Sequence, residues 1–74
     1  MTTQTSTEIR RIADFSIYQV DPADVRSFVV WDHENGSRLG DNIGVTRFAF
    51  EDAVSLAREY ADSAPAERPN YRSS

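Results

Sequence analysis

The apolar positions along the chain fall into short alternating runs followed by one run of helical period. In residues 14 to 21, DFSIYQVD, Phe15 and Ile17 fall on one side of an extended backbone and Tyr18 and Val20 on the other, in a β-rich composition that predicts a strand. Residues 21 to 24, DPAD, place Asp at the first and Pro at the second position of a type I turn, where the fixed φ of proline is already correct. A second strand is predicted over residues 25 to 32, VRSFVVWD, in which Phe28 and Val30 oppose Val29 and Trp31. Asn35-Gly36 then marks a hairpin, because both residues tolerate the positive φ of a tight turn. A shorter run follows near RLGDNI, with Gly40 and Gly44 marking a bulge or bend, and residues 45 to 50, VTRFAF, alternate as a final strand.

The helical run is the clearest signal. Over residues 50 to 62, FEDAVSLAREYAD, Ala53, Val54, Leu56, Ala57, Tyr60 and Ala61 share one face, and Glu51, Asp52, Ser55, Arg58, Glu59 and Asp62 occupy the other. Acids in its first turn suit the positive end of the helix dipole, and Pro65 stands just past its end. The predicted architecture is α+β: a three- to four-stranded antiparallel sheet with one C-terminal amphipathic helix packed on one face.

The flanks read differently. Residues 1 to 7 are small and polar, and residues 63 to 74 hold two prolines without periodicity, so both are expected to be disordered tails around a single domain over residues 8 to 62. The spacing from Thr5 to Glu8 permits a capping box and one short helical turn. A chain of 74 residues forms at most one small domain, and the absence of cysteine removes disulfides, thiolate metal sites and a thiol nucleophile. With no apolar run near the ~20 residues that span a bilayer, the expectation is a soluble, cytoplasmic protein.

Charge narrows the partners. Between Asp14 and Asp62 ten acids face four arginines, a surplus of six negative charges. Such a segment repels phosphate backbones, so direct nucleic-acid binding is disfavoured, whereas a protein partner with a basic surface suits it. A nucleic-acid accessory role would have to use the tail arginines Arg10, Arg11, Arg68 and Arg72.

Candidate chemistry concentrates in FVVWDHENGSRLGD, residues 28 to 41, where Asp32, His33, Glu34 and Asp41 resemble metal ligands. A calcium loop with its glycine at position six would put Trp31 at position one, where it cannot ligate. A transition-metal site needs more than the single histidine present, so no metal and no cofactor is expected. His33 on an exposed hairpin tip with scattered serines makes no catalytic triad, and the three glycines build no phosphate loop, so no enzyme activity is predicted.

A single helix covers only one face of a sheet. If it covers Phe15, Ile17, Phe28, Val30, Phe48 and Phe50, the other face carries Tyr18, Val20, Val29 and Trp31, an apolar patch of the kind that marks a contact surface. The competing reading is that Ile9 and Ile12 fold over this patch and complete the core. The candidate partner-binding residues are therefore Tyr18, Val29 and Trp31 with the acids Asp32, Glu34, Asp41, Glu59 and Asp62.

The ending TRFAFEDAVSLAREYAD, an aromatic strand running directly into an acidic-start, alanine-rich helix, resembles the ending of small bacterial and phage strand–hairpin–helix families of unknown function, YegP-like domains among them. The resemblance covers the organisation of residues 14 to 62, matches in pattern only where the helix begins, and carries over no functional residue. Those domains have a more basic hairpin than the acidic one here. The profile of a short, acidic, cysteine-free chain is also similar to that of anti-CRISPR and other anti-defence accessory proteins of phages and mobile elements, which implies an inhibitor or adaptor of a larger, nucleic-acid-handling protein. The alternative is a structural protein that dimerises through its open sheet face.

Overall fold

The computed structural model describes residues 8–70. Four antiparallel strands lie in sequence order: β1 Glu8–Ile12, β2 Phe15–Gln19, β3 Phe28–Asp32 and β4 Ser37–Arg38. One helix, α1 Phe50–Tyr60, packs on a single face, giving the expected α+β architecture. Among the described residues no helix is long and apolar enough to cross a membrane.

The helix lands on the face that the alternation in β2 and β3 designates. Phe15, Ile17, Val30, Leu39, Ala53 and Ala57 form the buried cluster, and Phe28, Phe48, Phe50, Val54, Leu56 and Tyr60 pack around it. The two alanines are fully buried and let the helix axis approach the sheet closely, while Glu51, Asp52, Ser55, Arg58 and Glu59 stay exposed. Phe28 and Phe50 meet edge to face at 5.2 Å, which ties the start of β3 to the first turn of α1.

Three local expectations change. First, residues 8 to 12 are a strand and no helical turn begins at Glu8; Thr5 lies outside the described residues. Ile12 pairs with Phe15 across a two-residue connection, Ala13-Asp14, with Ala13 at φ 51°. Second, the hairpin after β3 is real but its loop has four residues. Asp32 pairs with Ser37, Gly36 N–H donates to Asp32 O at 2.8 Å, and only Gly36 takes a positive φ there. Third, residues 45 to 49 form no strand: their contact with the sheet is a single bridge in which Phe28 and Phe48 exchange backbone bonds of 2.9 and 2.8 Å. The predicted turn at residues 21 to 24 is present, closed by Asp24 N–H to Asp21 O at 3.0 Å.

The expected domain end at residue 62 is also corrected. After α1 the chain makes a 3₁₀ turn at Pro65–Glu67, and Arg68 and Asn70 are buried against the β3–β4 hairpin. Arg68 can sit inside because its charge is partnered, and Asn70 because its amide is: Asn70 Nδ2 donates to Ser37 O at 3.1 Å and to Ser37 Oγ at 2.9 Å. The expected tails at residues 1–7 and 71–74 lie outside the described residues.

Candidate functional site

Cross-strand register defines the sheet face away from the helix. One row runs Arg11, Ser16, Trp31, Arg38 across all four strands, and the next runs Glu8, Tyr18, Val29. His33 continues the alternation of Val29 and Trp31, and its ring reaches this face too, with Nε2 2.7 Å from Ser16 Oγ. Ser16 also donates to the Glu8 carboxylate. A hydroxyl has one proton, so with that proton on Glu8 the His33 nitrogen is the donor to Ser16 and not its base. The carboxylate, moreover, bonds the serine and not the far imidazole nitrogen, and Ser16 is 0% exposed. This constellation fastens β1 and the hairpin to β2; it does not assemble a nucleophile.

The candidate patch on this face is smaller than its sequence implies. Tyr18 and Trp31 are half-buried and Val20 is exposed, but Val29 is 6% exposed and offers a partner almost nothing. The segment with Ile9 and Ile12 does not fold over the face, because it is the edge strand β1, with Ile12 packed on the core and Ile9 exposed at an irregularity in the pairing.

Asp32 is corrected outright. Lying between Trp31 and His33 it points to the opposite side, into the interior, where it is 0% exposed. Its carboxylate accepts bonds from Arg68 Nη1 at 2.9 Å, Glu34 N–H at 2.9 Å and Asn35 Nδ2 at 3.1 Å. Arg68 Nη2 donates to Ser63 O at 3.0 Å and lies 3.4 Å from the Asp14 carboxylate, and the guanidinium stands 4.7 Å over the Phe15 ring. Asp32 is thus a hub that binds the C-terminal segment, and Arg68 is unavailable to nucleic acid. Among the described residues no three His, Cys, Asp or Glu side chains gather where they could hold a metal ion.

The remaining acids do not converge. Glu34 is exposed in the hairpin loop, and Asp41 is half-buried with Arg38 at 3.6 Å. Glu59 on α1 and Asp62 just after it are exposed on the helix layer, on the far side of the sheet from Tyr18 and Trp31.

A surface outside the predicted set lies beside the helix, where Leu56 and Tyr60 meet the Gly40–Gly44 loop. Gly40, at φ 83°, precedes a 3₁₀ turn at Asp41–Ile43, and its carbonyl accepts both Ile43 N–H at 3.0 Å and Val45 N–H at 3.2 Å. A Cβ at Gly40 would lie 2.0 Å from Val45 O, so the closure of this loop depends on glycine. It holds Ile43 and Val45 outward, 69% and 51% exposed. Together with Leu39, Phe48, Leu56, Tyr60 and Pro69 they line a cleft of about 180 Å³ between loop and helix. The Gly40–Gly44 spacing around an apolar residue was the available cue; it reads as a bend and leaves the direction of Ile43 open.

No family model, curated protein or solved structure matches the chain. The resemblance to YegP-like domains therefore rests on the pattern where the helix begins, and the reading of function rests on the surfaces.

Proposed function

We propose that this protein is a non-catalytic protein-binding module, an inhibitor or adaptor that attaches to a larger partner with a basic surface. The observation that supports it is the outward display of Ile43 and Val45, 69% and 51% exposed, on a loop that Gly40 locks in place. Exposed aliphatic side chains on a fixed loop gain nothing for the fold, since each leaves apolar area in water at about 25 cal/mol per Å². They gain when a partner covers them. The acidic surplus favours association with a cationic surface and speeds encounter.

A second reading, self-association through the sheet face, is favoured by Tyr18 and Trp31 standing half-exposed on the face away from the helix, on the neighbouring strands β2 and β3. One experiment separates the two. The chain, tagged at its N-terminus because Asn70 is built into the fold, is used to capture partners from nuclease-treated lysate of its source cells, alongside Ile43→Asp and Trp31→Ala. The expected result is a single basic, nucleic-acid-handling complex retained by the unsubstituted chain and Trp31→Ala and lost with Ile43→Asp. Recovery of the bait alone, with sedimentation showing a dimer that Trp31→Ala dissolves, would establish the second reading instead.

A further inference from the structure

We infer that the cleft between the Gly40–Gly44 loop and α1 receives one bulky apolar side chain, Phe or Leu, from a partner segment whose neighbouring residues are Arg or Lys. The inference rests on the protein-binding reading and assigns it a place and a partner chemistry.

Size selects the anchor. An apolar cavity of about 150 Å³ in another protein holds benzene, so a cleft of about 180 Å³ has room for a phenyl ring or a branched aliphatic group. The lining selects its character: Leu39, Ile43, Val45, Phe48 and Leu56 offer hydrocarbon, and Tyr60 adds an aromatic ring. The cleft is also ready before binding. Gly40 O holds Ile43 and Val45 by two backbone bonds and Gly44 N–H donates to Asp41 O at 3.3 Å, so docking orders no further loop.

Charge selects the neighbours. At 100° per residue Leu56 and Tyr60 form the cleft wall of α1, and Asp52 and Glu59 are the next positions around the helix toward solvent. Both are exposed, and Arg58 falls on the opposite border with Glu51. Asp52 lies one turn before Leu56 and lines the groove that holds Val25, so the helix carboxylate nearest a segment lying over the cleft is Glu59. Arg47, also exposed, stands on the loop side. A partner segment accordingly places its cations over the helix, and these charges set orientation and encounter rate while the anchor supplies the affinity.

The test uses the full chain with methyl NMR and three blocked peptides: Ser-Arg-Phe-Arg-Ser, its Ala-for-Phe version and its Glu-for-Arg version. We expect the first to shift the methyl signals of Leu39, Ile43, Val45 and Leu56 with a dissociation constant of about 1 mM, and the other two to bind about ten-fold more weakly. Ile43→Asp, at a position exposed enough to leave the core intact, abolishes the shifts. Val25→Asp, 76% exposed in a different groove, leaves them unchanged. Equal binding of the Phe and Ala peptides overturns the anchor, and equal binding of the Arg and Glu peptides overturns the basic partner. Shifts that appear with protein concentration alone and vanish in Ile43→Asp make a second copy of this chain the occupant and overturn the proposal. So does silence of the cleft methyls at about 10 mM peptide. If Ile43→Asp still retains the captured complex, the protein-binding reading stands and only this site falls.

Discussion

Arg68 and Asp32, 36 residues apart in sequence, meet inside the protein at 2.9 Å with side chains 2% and 0% exposed. The pair joins the last described segment to the end of β3, so it converts what composition presents as a tail into part of the domain. Removing one partner of a buried ion pair leaves the other charge desolvated and uncompensated, which costs about 3–5 kcal/mol. Arg68→Ala and Asp32→Ala should each lower urea-unfolding stability by about that amount. The double variant should lose clearly less than the sum. Because neither charge is exposed, the loss should change little between low and high salt. Near-additive or negligible losses would show that the pair does not hold the segment.

Truncation tests the same closure from outside. A chain ending at residue 62 deletes Arg68 and Asn70 and bares Asp32, Asn35 and Ser37, whose partners they are. It should fail to fold cooperatively, whereas a chain ending at residue 70 should unfold with the midpoint of the full protein in circular dichroism. Equal stability of the two would return residues 63–70 to the status of a tail.

How much of this was readable follows from how each element is specified. The face of α1, the inward side of β2 and β3, and the hairpin at Asn35-Gly36 are written in periodicity and turn chemistry, which act over a few residues. β1 is not: in EIRRI four of five side chains are exposed and no alternation exists to detect. Asp32 was misread because an ionised carboxylate is exposed by default, and the one fact that reverses the default, an arginine far along the chain, is a tertiary one. Residues 45 to 49 err the other way, since alternation over VTRFA reports a chain that is extended but bridges the sheet only at Phe48. The display of Ile43 and Val45 depends on the closure of the Gly40–Gly44 loop, which spacing alone does not orient.

The turn that joins β1 to β2 was missed for a reason that can be measured. Ala13 sits at φ 51°, a conformation that costs an L-residue with a Cβ roughly 1–2 kcal/mol and is the usual place for glycine. Ala13→Gly relieves that cost and adds some unfolded-state entropy. The expected net effect is a gain of about 0.5–1 kcal/mol in chemical denaturation. A loss of stability would mean that the Ala13 methyl group contributes more than its backbone costs.

Gly40 and Gly36 share a positive φ but not a neighbourhood. A methyl group at Gly36 meets nothing within 4 Å, so Gly36→Ala should cost only the backbone term, about 1 kcal/mol. At Gly40 the same group would lie 2.0 Å from Val45 O, and the loop must open. Gly40→Ala should therefore cost more than Gly36→Ala and displace Val45, seen as shifted methyl signals of Ile43 and Val45. Indistinguishable variants would show that the cleft wall does not depend on the close approach at Gly40.

Ser16 bears on the stability of β1 rather than of the whole fold. Its hydroxyl bridges the Glu8 carboxylate and His33 Nε2, linking the edge strand to the hairpin loop across the sheet face. Both flanking residues are exposed and can turn to water, so Ser16→Ala should cost only about 1 kcal/mol globally. The local effect should be larger in proportion, because among the described residues β1 pairs only with β2, and an edge strand opens before the core does. In native-state hydrogen exchange the amides of β1 should lose protection in Ser16→Ala while those of α1 change only by the global amount. Uniform loss across both elements would mean that β1 and the core open together, and that the Glu8–Ser16–His33 contact is simply one more buried polar site.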